Sequence, residues 1–393
     1  MTRFMIPYAK HSITDADVEN VVAVLRSEYL TQGTKVEEFE KEFGSYTGAT
    51  YSVAVNSGTA ALHLSCLSLD LSEGDLLWTS PISFVASANC GLYCRAGLDF
   101  VDVDIKTGLM SPDALEEKLK RAEGLSNLPN VVVPVDYAGQ SCDMEAISTL
   151  ARKYGFRIIE DGCHALGGRY KDEPVGSSIF SDTTTFSFHP AKNITTGEGG
   201  MITTNDEDIY RKLLFLRTHG ITREMVDSSG SMVKPWYYKQ IDLGFNYRMP
   251  DILAVLGLSQ LPRLDNFVAK RYQLVERYEK LLEPLPVNIL STAEHSSSGC
   301  HIFVVRLNEE VRKRCSRDDV LQKLRDYGVA ATLHYIPIHT QPYYRDMGFK
   351  PEDFPVALEF SASAITLPLY PSLEYTDIDH IVSVLDKTIT ELT

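Results

Sequence analysis

The sequence predicts an α/β protein with a mostly parallel central sheet, followed by a smaller α+β part. Three observations lead there. Short apolar runs, LDFVDVD (98–104), NVVVPVD (130–136) and FRIIED (156–161), alternate with helical segments as far as about residue 250. Such near-continuous runs are the pattern of strands covered on both faces. After Pro250 the alternation stops and a long helical stretch leads into a differently ordered C-terminal part. A boundary near 265 divides the chain into a large domain, 1–265, and a small C-terminal domain, 266–393.

The elements follow in order. Thr14 and Asp17 form a capping box that opens a helix over 14–30, with Val18, Val21, Val22 and Leu25 on one face. LTQG (30–33) breaks it. Val36, Phe39 and Phe43 mark a second helix, closed by Gly44. YSVAV (51–55) is a strand, NSG (56–58) a turn and TAALHLSCLSL a helix. TTTFSF (183–188) and MITTN (201–205) complete the strand candidates. Beyond Pro250 a helix kinks at Pro262. A strand (301–307), a helix (317–327), the strand-like VAATLHY and a last helix from Thr376 follow, with EHSSSG (294–299) as a loop of the small domain.

Composition narrows the function. Of 393 residues, 44% are hydrophobic and 23% charged, a globular rather than disordered balance. The net charge of −15 disfavours nucleic acid and acidic membrane surfaces as partners. It leaves room for an anionic small substrate in a locally basic pocket. Seven cysteines without a CxxC pair read as reduced thiols in a cytoplasm-like compartment. Cys90 and Cys94 read as core thiols, since no His or acid joins them at metal-ligand spacing. The N-terminal MTRFMIPYAK lacks the apolar core of a signal peptide. No apolar run approaches the ~20 residues that span a bilayer. HExxH, GxSxG, Walker and dinucleotide motifs are all missing.

Two stretches carry chemistry. SFHPAKNITTGEGGMITTN (187–205) sets Lys192 after an apolar strand and before a glycine-rich turn. FRIIED ends a strand in Asp161, at the end where open α/β sheets place ligands. A lysine that forms a Schiff base and an acid that pairs with a pyridinium nitrogen are what pyridoxal 5′-phosphate (PLP) asks of a protein. Partial desolvation of Lys192 would favour the bond. In NSGTAALHL, Ser57, Gly58 and Thr59 open a helix and offer a phosphate site; plain helix capping is the other reading. Ser187 would add a hydroxyl to that phosphate. Phe84, in SPISFVASANC (80–90), either stacks on the cofactor ring or packs in the core. His164 either orients Asp161 and the ring or is a satisfied core histidine.

In this order, NSGTAAL, SPISFVASAN, VDYAGQ, EDGCHALGG, SFHPAKNITTGEGG, GFNYRM and LHYIPIH resemble the DegT/DnrJ/EryC1/StrS family of PLP-dependent nucleotide-sugar aminotransferases, a fold type I group. The resemblance runs from about Pro7 to about Leu369. Within the family, TSPISFVASAN, VDYAGQS, SFHPAKNITT and ITLPLYP are most similar to the pseudaminic acid branch. That implies transfer of an amino group from L-glutamate to C4 of UDP-2-acetamido-2,6-dideoxy-β-L-arabino-hexos-4-ulose. It also implies a homodimer with shared sites. Lys192 would hold the cofactor and then shuttle protons, Asp161 would pair with the ring nitrogen, and Gly58, Thr59 and Ser187 would bind phosphate. Phe84 would cover the ring. Asn246 of GFNYRM would reach the phosphate held by the neighbouring subunit. Tyr8, Thr31, His334 and Tyr335 lie where the family contacts the sugar nucleotide, and Gln140 would approach the phenolic oxygen. Arg248 and Lys35 are candidate counter-charges for the diphosphate. Cys163 departs from the pattern, since relatives often carry small residues such as Ala or Ser before the histidine. A related branch with dehydratase chemistry replaces the lysine by histidine, so Lys192 argues against it. The alternatives are an aminotransferase for another nucleotide-linked keto sugar and a PLP-fold binding protein without activity.

Overall fold

The computed structural model describes residues 5–125, 127–222, 234 and 236–393. Seven strands build the central sheet: β1 (Tyr51–Val55), β2 (Leu76–Thr79), β3 (Gly97–Phe100), β4 (Val131–Val133), β5 (Arg157–Asp161), β6 (Thr183–Ser187) and β7 (Gly200–Thr204). Their order is β1-β7-β6-β5-β4-β2-β3. Within this sheet β7 alone runs against its neighbours β1 and β6, and the other pairs are parallel. Residues on both faces are buried, including Val131, Val132 and Val133 of β4 and Ile158 and Ile159 of β5. This two-sided burial is why these strands read as unbroken apolar runs. β2, LLWT, has only four residues, too few for a period to show.

The first helix, α1 (Asp15–Leu25), opens with the expected capping box between Thr14 and Asp17. It stops at Leu25, short of residue 30. Its predicted apolar face is only partly covered: Val18 and Leu25 are each 52% exposed and Val21 and Val22 half-buried, while Asp17 and Val24 are buried. Asp17 takes the inward position because it accepts from Ser259 at 2.6 Å and pairs with Arg263 at 2.6 Å. The second helix, α2 (Lys35–Thr47), runs through Gly44 and is closed by Gly48, whose φ of 79° is left-handed. Gly44 answers a packing demand instead, since a Cβ there would lie 2.8 Å from Ser52 Oγ. α3 (Gly58–Ser68) follows β1 directly, and α4 (Ala86–Tyr93) follows β2.

Pro262 sits in a 3₁₀ turn, Leu261–Arg263, between the helices Asp251–Gln260 and Leu264–Leu282. The second of these changes company along its length. Leu264 and Val268 pack with Phe39, Phe43, Phe186 and Phe188 of the large sheet's layer. Leu274, Tyr278 and Leu282 pack under a three-stranded antiparallel sheet of Val287–Ile289, Phe303–Leu307 and Ala364–Leu367. Helices Arg317–Asp326 and Tyr375–Leu392 complete that layer. VAATLHY forms no strand and contributes two isolated bridges, Val329–Ile6 and Thr332–Thr366. The predicted loop 294–299 is partly a strand: Ser296–Ser297 pairs with Arg169–Tyr170 and ties the C-terminal part back to the large one. Among the described residues no helix is long and apolar enough to cross a membrane.

Candidate active site

β5 and β6 are parallel neighbours that end in Asp161 and Ser187, so register alone brings these two side chains to one edge of the sheet. β1 ends beside them, and Ser57 caps α3 by accepting from Ala60 N–H at 3.0 Å. Gly58 begins the helix. A Cβ on it would lie 2.8 Å from Ser187 Cβ, so only glycine lets the two walls of this anion-sized cradle approach so closely. β7 closes the cradle from below: a Cβ on Gly200 would come 2.5 Å from Ser57 O.

Lys192 follows β6 on a pinned loop. Its N–H bonds His189 O at 2.8 Å. Next to it, Asn193 is buried and its amide bonds Leu166 O at 2.8 Å and Gly299 O at 2.7 Å. Thr195 Oγ1 donates to Phe188 O at 2.8 Å, and Gly197 turns with φ 85°. The amine thus projects from a rigid base. Burial pulls its pKa below the usual lysine range, while Cys163 and Asp161 beside it pull the other way.

A cavity of about 470 Å³ collects these groups. Tyr8, Ser57, Gly58, Thr59, Phe84, Asp161, His164, Ser187, Lys192, His334 and Tyr335 all line it, as does Cys163. Phe84 is 57% exposed and tilts toward Tyr335, so the core reading does not hold for it. His164 Nε2 lies 3.0 Å from Tyr335 OH, and its Nδ1 is buried without a partner among the described residues. His334 Nδ1 lies 2.9 Å from Thr366 Oγ1, and Tyr137 OH donates to His334 O. Burial drives His164 well below the usual histidine range and pushes His334 down to about 4, with the Lys192 charge adding to both.

Five predicted residues are not brought to this cavity, among them Lys35, whose amine pairs with Glu38 at 2.6 Å. Gln140 spends both ends of its amide elsewhere, accepting from Ala293 N–H at 2.6 Å and donating to Ser291 O at 3.2 Å. Thr31 is exposed on the turn after α1. Asn246 and Arg248 lie along the end of β1, where Val55 bridges Arg248 and Asn56 N–H bonds Tyr247 O. The Asn246 side chain is exposed rather than turned inward.

Other residues line the cavity that sequence reading did not single out: Ser83, Ser87, His189, Glu198 and His301. Ser83 and Ser87 are four apart in SPISFVASAN, a spacing that places both on one face of a helix start. His301 carried no local signal, because its partner Lys192 is remote in sequence.

These residues fit PLP. A glycine-lined helix start offers room for its phosphate, an acid stands at the cavity floor, an amine of lowered pKa faces in, and a half-exposed aromatic ring flanks the space. The fold and this site define a PLP-dependent aminotransferase. The chain belongs to the DegT/DnrJ/EryC1/StrS aminotransferase family, whose model matches residues 11–386. It is 36% identical over 384 residues to the spore coat polysaccharide biosynthesis protein SpsC of Bacillus subtilis, covering 96% of this chain and 95% of that one. It is 33% identical to the UDP-4-amino-4,6-dideoxy-N-acetyl-β-L-altrosamine transaminase of Campylobacter jejuni, over 87% of each chain. Among solved structures, Helicobacter pylori PseC, an aminotransferase involved in pseudaminic acid biosynthesis, superposes with a TM-score of 0.89 at 28% identity, covering 98% of this chain and 100% of that one. A sugar aminotransferase from Streptococcus pneumoniae, described as putative and solved in PLP and PMP forms, gives 0.88 at 29% identity, covering 99% of this chain and 100% of that one. The chain is therefore a PLP-dependent sugar aminotransferase.

Proposed function

We propose that this enzyme transfers the amino group of L-glutamate to C4 of UDP-2-acetamido-2,6-dideoxy-β-L-arabino-hexos-4-ulose, a UDP-linked 4-keto-6-deoxy N-acetylhexosamine of pseudaminic acid biosynthesis. The supporting relatives are the altrosamine transaminase and PseC. The single observation that carries aminotransfer is the Lys192 amine facing a cavity whose floor is Asp161 and whose wall is the Gly58–Ser187 cradle.

Bound PLP supplies an electron-poor ring that weakens the bonds around an attached amino-bearing carbon. The chain does the rest. Ser57, Gly58, Thr59 and Ser187 would hold the phosphate, Phe84 would cover the ring, and the Asp161 carboxylate would accept the N–H of the protonated ring nitrogen. His164, hydrogen-bonded to Tyr335, would stand beside the ring. The Lys192 amine takes a proton from the α carbon of the donor in the first half of the reaction and delivers one to C4 of the sugar in the second. Its lowered pKa raises the share of free amine available for that work. Tyr8, His334 and Tyr335 form the wall that meets the sugar.

Among the described residues no arginine lines the cavity, while the substrate brings a diphosphate. The missing positive charge and the exposure of Thr31 and Asn246 support a homodimer in which the second copy completes each site, with Asn246 reaching the neighbour's phosphate. The division 1–265 and 266–393 and a cytoplasmic location belong to the same proposal.

A second reading is kept because SpsC shares more identity with this chain than the altrosamine transaminase does. In that reading the acceptor is another nucleotide-linked 4-keto sugar. Mass spectrometry of products from UDP- and dTDP-linked 4-keto sugars, in both configurations and with L-glutamate, separates the two. Amination of a dTDP-linked or gluco-configured sugar alone would overturn the first reading.

A further inference from the structure

Ser87 is buried in the first turn of α4, and Ser83, also buried, lies four residues before it. Ser87 Oγ is 2.6 Å from Asp161 Oδ2 and 2.7 Å from Ser83 Oγ. Counting protons sets the direction of both bonds. A serine has one O–H to give, and a carboxylate only accepts. Ser87 therefore donates to Asp161, and Ser83 donates to Ser87. The other carboxylate oxygen, Oδ1, accepts the Cys163 N–H at 3.2 Å. Both oxygens are anchored, one by β5's own turn and one by α4, so the plane of the carboxylate is set by two separate elements. The same short segment presents Phe84 to the cavity, so it governs both the face of the ring and the acid at its edge.

From this geometry we infer that Ser87 is a positioning residue for the cofactor's ring nitrogen: it holds the Asp161 carboxylate in the orientation that keeps that nitrogen protonated, with Ser83 as the outer link. The inference rests on the role given to Asp161 above. Hydrogen bonds to a charged acceptor are the strong class, and in a dry site a chain of them is worth more than its separate members. Without the Ser87 hydroxyl the carboxylate turns about its Cβ–Cγ bond. Out of line with the ring nitrogen, it stabilises the protonated ring less, and the nitrogen holds its proton less firmly.

The test uses intact enzyme loaded with PLP carrying ¹⁵N in the ring. The nitrogen's NMR resonance reports protonation directly as pH is varied. Ser87→Ala is expected to lower the pH at which the ring loses its proton by about one unit and to weaken cofactor binding roughly tenfold. Ser87→Thr, which restores the hydroxyl, is expected to titrate as wild type. Ser83→Ala is expected to shift in the same direction by less. A Ser87→Ala enzyme that titrates like wild type, while Asp161→Asn is shifted, overturns the role of Ser87 and leaves that of Asp161 intact. If Asp161→Asn is also unshifted, the reading of Asp161 falls with it. If Ser87→Ala does not fold, Ser83→Ala decides: an unshifted titration there overturns the relay.

Discussion

The Lys192 amine lies 3.5 Å from Nε2 of His301, 109 positions further along the chain. His301 is buried, and burial, followed by the Lys192 charge, drives its pKa well below the usual histidine range. A neutral ring beside the amine neither repels nor protonates it, and it holds the free amine in place. His301→Ala is expected to slow the single-turnover proton transfer about five- to tenfold, the worth of one hydrogen bond between neutral groups. KM for the sugar should change little. An unchanged single-turnover rate would remove His301 from the machinery.

Lys192→Ala is expected to lose turnover by at least the ~10²–10⁴-fold that one positioned acid–base group supplies. Borohydride reduction of wild-type enzyme followed by peptide mapping should place a pyridoxyl group on Lys192. Its recovery on another lysine would defeat the assignment.

Gly58→Ala tests the phosphate cradle. The new methyl would sit 2.8 Å from Ser187 Cβ, so the two walls must part. PLP affinity is expected to fall more than about tenfold, measured by fluorescence titration, with a drop in melting temperature of a few degrees at most because the helix start is otherwise relaxed. Undiminished affinity would show that the phosphate binds elsewhere.

Acid should loosen the cofactor-free protein through its buried histidines. In the folded state His334 titrates at about 4, below its ordinary 6.5. The unfolded chain therefore binds a proton first. The stability contribution is full above about pH 6.5 and is lost as pH falls toward 4. His334→Asn keeps a partner for Thr366 and removes the titration. Its melting temperature should fall less than that of wild type across this window. Parallel curves would rule the histidine out.

The opposite sign holds for Asp136. Burial, and then the neighbouring Glu160, raise its pKa well above the ordinary carboxylate value. Its contribution is full below about pH 4 and is lost as pH rises. Asp136→Asn can still accept the Cys142 N–H that Oδ1 now accepts at 2.9 Å. The variant should gain stability over wild type in denaturant melts at neutral and alkaline pH. Equal midpoints from pH 5 to 9 would refute this.

The sheet was readable because its strands are buried on both faces, which leaves unbroken apolar runs such as NVVVPVD. Lys192, Asp161 and the Ser57–Thr59 turn were readable because each ends or follows such a run. What was not readable depended on contacts between distant segments. Asp17 took an inward position on α1 because Ser259 of the helix Asp251–Gln260 and Arg263 of the turn after it meet it there. Gly44 looked like a stop, yet it is a point of close packing against Ser52. Gln140 was drawn toward the C-terminal loop by Ala293 and Ser291. His301 and Ser87 gain meaning only from the partners that folding gives them.

Asn193 gathers three stretches of chain with one side chain: its own loop, the segment after β5 through Leu166 O, and the segment before His301 through Gly299 O. It works as a rivet through two layers of the molecule. Colour and shape should therefore fail together on heating. The yellow of the bound coenzyme ought to bleach along the same melting curve that reports collapse of the C-terminal lobe, with no temperature at which one outlives the other.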